Sequence, residues 1–236
     1  MGRGAAAAAA ALLLAGCGGG DAPPPPPDAG AADVGDPLRP GMGNGGYDVA
    51  SYDLSVAWSP GEPEIGASAT IRLVALQRLS RFNLDLVGLD VTEVTVDGDP
   101  AAVDRDGDEL VVTPARPLAD GARAVVRVRY TGRPAPPIQD GGWRDRGDSV
   151  VVFGQPESAA SWFPVNDHPS DKAGYTIRLT VPEGVQAVAN GALATRTARP
   201  DGRVTWVYRQ PEPQASYLTT VVMGRLETVP GGRTAA

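Results

Sequence analysis

The sequence predicts an all-β fold, an antiparallel saddle-like sheet or sandwich, and three observations support this class. From about residue 46 onward, apolar residues recur at every second position in several separate runs, which is the period of a half-buried strand. Turn dipeptides with glycine in second place separate the runs. No segment shows the apolar period of a helix of three turns. Short strands between regularly spaced turns are typical of antiparallel sandwiches, barrels and saddle-shaped sheets.

The first strand is the run in which Tyr52, Leu54 and Val56 share one face. We interpret the Trp and Tyr side chains of such runs as core residues rather than as groups that stack on a ligand. The same alternation recurs in runs that begin at Ile65, Phe82, Ala124, Tyr175 and Val204. The turns are predicted at Asp97-Gly98, Asp106-Gly107, Asp120-Gly121, Asn190-Gly191 and Asp201-Gly202, where glycine tolerates a positive φ.

The first sixteen residues are typical of a lipoprotein signal peptide. Arg3 precedes an apolar run over residues 5–14, which is too short for a helix to span a bilayer and has the length of a signal-peptide core. The run ends in Leu14-Ala15-Gly16-Cys17, which resembles the bacterial lipobox. We therefore expect residues 1–16 to be removed and Cys17 to carry the lipid, which predicts an extracytoplasmic protein anchored in the bacterial cell envelope. The alternative is a plain secretory signal in which Cys17 is incidental.

Residues 17–45 are predicted to form a flexible tether between that anchor and the folded part. They are rich in glycine, contain five consecutive prolines over residues 23–27, and include few large apolar side chains that could form a core. The β domain is expected over residues 46–228. Residues 229–236 are predicted to be the truncated start of a linker.

Composition excludes several functions. The net charge of -7 argues against nucleic-acid binding, which requires a basic surface. With one histidine and one cysteine, the chain is poorly equipped for a zinc site, which draws three or four ligands mainly from Cys, His and carboxylates. Cys17 alone cannot form an internal disulfide. We therefore expect no cofactor, no metal and no catalytic residue in this chain.

Residues 154–169 form a long irregular segment, and such loops often carry function. Pro156 restricts Gln155 to extended backbone, so residues 155–157 are predicted to be an extended edge segment. In that conformation Gln155 and Glu157 would point the same way and present an amide beside a carboxylate, a pair suited to a cationic or hydrogen-bonding group.

Two other interpretations of this segment stay open. It could be a solvated loop that binds nothing. Asp167 and His168, with Ser158, Ser161 and Ser170 nearby, could also suggest a hydrolase triad, but triad members come together in space rather than in one loop, and the chain has no Gly-x-Ser-x-Gly motif. We expect Asp167 and His168 to hold the loop by local hydrogen bonds.

The segment also resembles a known family. Gly154-Gln155-Pro156-Glu157 and the block from Trp162 to Tyr175 are similar to the loop that precedes the catalytic domain in zinc aminopeptidases of the aminopeptidase N and leukotriene hydrolase family. The resemblance extends over about residues 46–228, through Tyr52-Asp53-Leu54, Leu84-Asp85-Leu86, Val96-Asp97-Gly98 and Val188-Ala189-Asn190-Gly191.

The resemblance implies a cleft-capping N-terminal domain whose loop reaches into the active site of a following zinc-containing catalytic domain. By position, Glu157 would bind the free amine of a peptide N-terminus and Gln155 would line the pocket for its first side chain. The family's Gly-x-Met-Glu-Asn and His-Glu-x-x-His motifs are not in this sequence. The chain alone is therefore expected to be inactive, as a fragment or truncated frame. The alternatives are a non-catalytic, lipid-anchored β-sandwich that acts as a binding or scaffold module, and a remnant that folds poorly because its domain interface is exposed.

Overall fold

The computed structural model describes residues 28–135, 141–155, 157–227 and 229. Within these ranges the regular backbone is sixteen strands and two short 3-10 helices, with no α-helix, so the predicted all-β class is confirmed. The 3-10 helices are Ala159–Ser161 and Ser216–Leu218. The strands are β1 (Asp28–Ala29), β2 (Tyr47–Ala57), β3 (Ile65–Ala75), β4 (Leu79–Asp85), β5 (Asp90–Val96), β6 (Asp99–Pro100), β7 (Ala102–Asp106), β8 (Glu109–Thr113), β9 (Arg123–Gly132), β10 (Gly142–Asp145), β11 (Val150–Phe153), β12 (Lys172–Pro182), β13 (Gln186–Ala189), β14 (Ala192–Ala198), β15 (Arg203–Ala215) and β16 (Val221–Gly224).

The strands form one large sheet and two small ones. The large sheet has eight strands in the order β14-β15-β12-β2-β3-β9-β5-β6, and the four-stranded sheets have the orders β1-β4-β8-β7 and β10-β11-β16-β13. Most neighbours are antiparallel, as the sequence predicts. The structure adds two parallel pairs, β2 with β12 and β1 with β4. A parallel pair needs a long crossover, and here β3 to β11 lie between β2 and β12 in the chain.

The core lies under the apolar face of the large sheet and includes the inward faces of both small sheets. One row across four strands shows how the alternation builds it. Four buried residues pair in register, each with the next, across β12, β2, β3 and β9: Tyr175, Tyr52, Ile71 and Val126. The Tyr52 and Tyr175 rings stack with their centroids 5.1 Å apart. The predicted core positions of Trp58 and Tyr175 are confirmed. Trp206, for which the sequence makes the same prediction, is only half-buried and packs against the core.

The five predicted turns occur where expected. Their second residues, Gly98, Gly107, Gly121, Gly191 and Gly202, all have positive φ angles between 61° and 91°. At the turn between β5 and β6 the preceding Asp97 also has a positive φ of 54°. Two successive residues at positive φ are what a two-residue hairpin turn of the right twist requires.

The described residues before β2 are residues 28–46, which we call the N-terminal segment, and they contact the β domain at several points. The predicted signal peptide, Cys17 and residues 18–27 fall outside the described residues. The amides of Asp28 and Gly30 donate to the carbonyls of Arg78 and Arg81 at the start of β4, both at 2.8 Å. Farther along, Asp36 lies beside His168, and the Asn44 amide donates to the Asn166 side chain. These contacts fall within the stretch, through residue 45, for which the sequence predicts a flexible tether.

The high glycine content of this segment has a structural use. A Cβ on Gly43 would lie 2.5 Å from the Cβ of His168 and 2.9 Å from Oδ1 of Asn166, closer than side-chain atoms can approach. Gly43 also has a φ of 67°, which favours glycine. The same composition that is typical of a linker therefore permits a close contact with residues 166–168.

Candidate functional site

The loop that follows β11 begins with a close backbone contact. A Cβ on Gly154 would lie 2.5 Å from the carbonyl oxygen of Tyr217, so only glycine can occupy this position without a shift of the backbone. Tyr217 belongs to the second 3-10 helix. The start of the loop is thereby fixed against the segment that precedes the last strand.

Gln155 and Glu157 lie directly after this contact. Gln155 is exposed, Glu157 is half-buried, and both are in turn conformation, while Pro156 is outside the described residues. The expectation of an extended edge segment is therefore wrong, since strand pairing ends at Phe153. The physical reason is that the following residues turn inward and form the buried 3-10 helix Ala159–Ser161 rather than continuing the ladder.

Asp167 holds that short helix from the side. Its Oδ2 accepts a hydrogen bond from the Ala160 amide at 3.3 Å, and its Oδ1 accepts one from the Ser216 hydroxyl at 2.6 Å. Its own amide donates to Oδ2 of Asp85 at 2.8 Å. Asp167 thus joins the turn, the second 3-10 helix and the end of β4.

Asn166 joins the loop to the N-terminal segment. Its Oδ1 accepts from the Asn44 amide at 2.7 Å, and its Nδ2 donates to the Asn44 carbonyl at 3.1 Å and to Oδ2 of Asp171 at 2.6 Å. The Asn166 amide donates to the Tyr52 hydroxyl at 3.0 Å. The Asn44 side chain in turn donates to Oδ2 of Asp85 at 3.1 Å.

Aromatic packing anchors the middle of the loop. Trp162 and Phe163 are fully buried, with ring centroids 4.5 Å apart in an edge-to-face arrangement. Phe163 also contacts the Tyr52 ring edge-on at 5.6 Å, and Trp162 lies 6.3 Å from Trp143. Residues 158–168 are therefore part of the core and not a solvated loop.

His168 braces the end of the loop. Its Nδ1 accepts from the Ser170 amide at 3.2 Å and lies 2.7 Å from the Ser170 hydroxyl, while its Nε2 is 3.3 Å from Oδ2 of Asp36 in the N-terminal segment. The carboxylate of Asp167 accepts from the Ala160 amide and the Ser216 hydroxyl and not from His168. Asp167 and His168 therefore hold the loop by hydrogen bonds, as expected, and do not form a triad.

Burial makes several carboxyls in this region hard to ionise. It raises the pKa of Asp85 to about 8, with the amide of Asp167 opposing the rise and the facing Glu109 adding to it. Burial raises the pKa of Asp171 to about 7, with the charge of Asp48 adding to the rise. Burial also raises the pKa of Asp167, against the lowering effect of its hydrogen bonds to Ser216 and the Ala160 amide.

The described residues form no metal site, since no group of three or more His, Cys, Asp or Glu side chains among them is placed to hold a metal ion. None of the helices among those residues is long and apolar enough to cross a membrane. A cavity of about 920 Å³ is lined by Val87, Trp143 and Arg146, among others, and not by Gln155 or Glu157. Gln155 is exposed and Glu157 half-buried, so both lie at the domain surface.

The comparison with protein families gives one match, which covers most of the folded part. The Peptidase M1 N-terminal domain family matches residues 49–218. The chain belongs to this family. No curated protein matches the chain.

Solved structures agree with the M1 assignment. A two-domain M1 zinc metallopeptidase bound to L-arginine is 32% identical with a TM-score of 0.76, and the match covers 81% of this chain and 45% of that one. An M1 zinc metallopeptidase from Deinococcus radiodurans bound to a Tyr-Ser-Ala substrate is 34% identical, with a TM-score of 0.75 and the same coverage. A third, bound to L-tryptophan, is 33% identical with a TM-score of 0.76, and the match covers 81% of this chain and 46% of that one. This M1 domain thus spans a little under half the length of these relatives.

Sequence reasoning on this M1 domain missed the residues that support the loop. Asn44 stands between glycines and was assigned to the tether, and Ser216 lies in a stretch without a clear pattern. Asp85 was noted only as part of a strand motif. Asn166 and Asp167 lie in the irregular segment 154–169 that the sequence marks as a candidate site, but the sequence does not indicate their distant partners.

The raised pKa values of Asp85 and Asp171 predict a pH dependence of stability. Unfolded, both titrate near 3.8, so between about pH 4 and pH 8 the native state keeps protons that the unfolded state loses. The free energy of unfolding should therefore fall as pH rises through this window, by on the order of several kcal/mol, because each unit by which a native-state pKa is raised corresponds to about 1.4 kcal/mol. Urea denaturation at pH 5 and pH 8 measures the change, and Asp85→Asn should reduce it. A stability that rises across this window would contradict the assignment.

Proposed function

We propose that this chain is the cleft-capping N-terminal domain of an extracytoplasmic zinc aminopeptidase, and that its Gln155 to Glu157 turn binds the free amine of a peptide substrate. The observation that carries the proposal is the placement of Glu157. It is a half-buried acid near the surface, and the backbone on either side of it is fixed by the Gly154 contact with Tyr217 and by the Ala160 amide, which donates to Asp167. A carboxylate on a backbone fixed at both sides is suited to a charge-assisted hydrogen bond with an ammonium group.

The relatives support an amine ligand. Those with ligands in their titles are bound to L-arginine, L-tryptophan and a Tyr-Ser-Ala substrate, and each of these molecules has a free α-amine. Two of them are two-domain enzymes, and this chain matches only 45% and 46% of their lengths. On this proposal Glu157 contacts the amine, Gln155 lines the pocket for the first side chain, and the cleft closes only when the second domain is present.

Zinc would belong to that second domain. The described residues do not fit a zinc site, because they contain no suitable cluster and because Nδ1 of the single histidine, His168, accepts the Ser170 amide. No catalytic step is therefore assigned to this chain. A reading frame that continues into a His-Glu-x-x-His motif would support the proposal directly.

The location proposed for the enzyme is the bacterial cell envelope, outside the cytoplasm, with the lipid anchor on Cys17. The motif Leu14-Ala15-Gly16-Cys17 supports it.

Replacing Glu157 by Ala in the complete enzyme should lower kcat/KM for peptides with a free amine by about ten- to a hundredfold, because a charge-assisted contact contributes roughly 1.5 to 3 kcal/mol. N-acetylated peptides present no ammonium group, so their turnover should change little. Steady-state kinetics with matched free and acetylated peptides measures both. Misfolding would lower both rates alike, and an unchanged preference for the free amine would show that the loop is only structural.

Detergent-phase partitioning should separate the wild type from Cys17→Ser. The lipidated wild type is expected in the detergent phase because acyl chains partition into micelles, and the variant, which cannot accept the lipid, is expected in the aqueous phase. Equal partitioning of both into the aqueous phase would contradict the anchor.

A further inference from the structure

The short helix after Glu157 lacks the usual support at its start. The residue at the N-cap of Ala159–Ser161 is Ser158, and its hydroxyl makes no capping hydrogen bond to the helix. The hydroxyl instead donates to the carbonyl of Phe153 at 3.4 Å. Because unpaired amides at a buried helix start are costly, another acceptor is needed.

Asp167, seven residues after Ala160 in the chain, supplies that acceptor. Its Oδ2 accepts the Ala160 amide at 3.3 Å, and the Ala159 amide also stabilises its charge. Asp167 is buried, with 7% of its surface exposed, so this contact is sheltered from water. The carboxylate therefore fixes the side of the turn that follows Glu157.

The other carboxylate oxygen of Asp167 fixes the side of the turn that precedes Glu157. It accepts the hydroxyl of Ser216 at 2.6 Å, and Ser216 begins the helix whose next residue, Tyr217, lies against Gly154. One carboxylate thus connects two places. Before the turn it binds Ser216, the neighbour of the Tyr217 that contacts Gly154, and after the turn it accepts the amides of residues 159 and 160. The amide of Asp167 in turn donates to Oδ2 of Asp85 at 2.8 Å, which ties the carboxylate to β4.

The charge of Asp167 also lies within electrostatic reach of Glu157. The Glu157 carboxylate contributes to the raised pKa of Asp167, after the larger effect of burial. The Asp167 oxygens accept from the Ala160 amide and the Ser216 hydroxyl inside the fold, whereas Glu157 is half-buried. The two carboxylates therefore differ in burial and in bonding, and Asp167 is the one that fixes the backbone.

We propose that Asp167 is the positioning residue for Glu157, holding the turn from both sides so that the Glu157 carboxylate meets the substrate ammonium group. The proposal rests on the proposed function, since it assigns Glu157 the amine. Asp167 does not touch the substrate. It acts through the geometry of the turn, where a misplacement of about 1 Å can lower the rate substantially.

The test is a double-mutant cycle in the complete enzyme, read as the ratio of kcat/KM for free-amine and N-acetylated peptides. Asp167→Ala should lower this ratio by roughly three- to tenfold, chiefly through kcat/KM for the free-amine peptide. In a Glu157→Ala background the same change should leave the ratio almost unaltered, because the group that Asp167 positions is gone.

Two further variants distinguish positioning from general stability. Asp167→Asn should restore most of the ratio, because an amide can accept the Ala160 amide through its oxygen while its nitrogen donates to the Ser216 hydroxyl. Asp171→Ala is the matched control, a carboxyl of the same loop that binds the Val49 amide and the Asn166 side chain but no atom of the turn. It should lower stability and leave the ratio unchanged.

The outcomes separate the two proposals. If Glu157→Ala leaves the ratio unchanged, the assignment of the amine to Glu157 is wrong. If Glu157→Ala lowers the ratio but Asp167→Ala does not, or if the two effects multiply independently, Asp167 is not its positioning residue. An equal loss for both substrates in Asp167→Ala, without rescue by Asp167→Asn, would assign it a purely structural role.

Discussion

The position of the loop after β11 depends on the requirement that buried polar groups form hydrogen bonds. A buried donor or acceptor without a partner costs about 1 to 3 kcal/mol, and this loop brings Asn166, Asp167 and His168 into the interior together. Because residues 166–168 are not part of a strand ladder, their polar side chains pair with backbone and side-chain groups of other segments and of the loop itself. Asn166 pairs with the backbone of Asn44, and Asp167 pairs with Ser216 and the Ala160 amide. The position of the turn is the consequence of these bonds.

The same bonds connect parts of the chain that are far apart in sequence. Asp85, at the end of β4, accepts hydrogen bonds from the Asn44 side chain and from the Asp167 amide. The N-terminal segment, β4, the loop and the segment before β16 therefore meet at one buried polar cluster. Two acids of this cluster, Asp85 and Asp171, have pKa values raised to about 8 and about 7, so protonation affects the cluster close to neutral pH. The surface turn that carries Glu157 is the outer end of this arrangement.

Local pattern was sufficient for most of the fold. Alternation placed β2, β3, β9, β12 and β15, because a half-buried strand must alternate, and aspartate-glycine or asparagine-glycine pairs placed the turns. Pattern failed where contacts between distant residues decide the structure. The parallel pairing of β2 with β12 leaves no local signal. Gly43 and Asn44 have the composition of a linker, and only the approach of His168 and Asn166 gives them a fixed position.

The site divides in the same way. Gln155 and Glu157 could be selected from sequence through the resemblance of their motif, and both lie within the range that the M1 family matches. Their conformation could not be predicted from sequence. Pro156 favours an extended segment, but the residues that follow form a buried 3-10 helix whose Ala160 amide donates to Asp167. The partners Ser216 and Asp85 are distant in sequence and have no motif, so their role could be seen only in three dimensions.

Hydrogen exchange of four backbone amides tests most directly whether the buried cluster holds the loop. The amides of Asn44, Ala160, Asn166 and Asp167 all donate to side-chain acceptors rather than to a strand neighbour, so their protection depends on the cluster itself. We expect them to exchange as slowly as core amides such as those of Leu54 and Ile177, through cooperative unfolding of the domain. Rapid exchange of these four amides while β2 and β12 stay protected would contradict a loop fixed by the cluster.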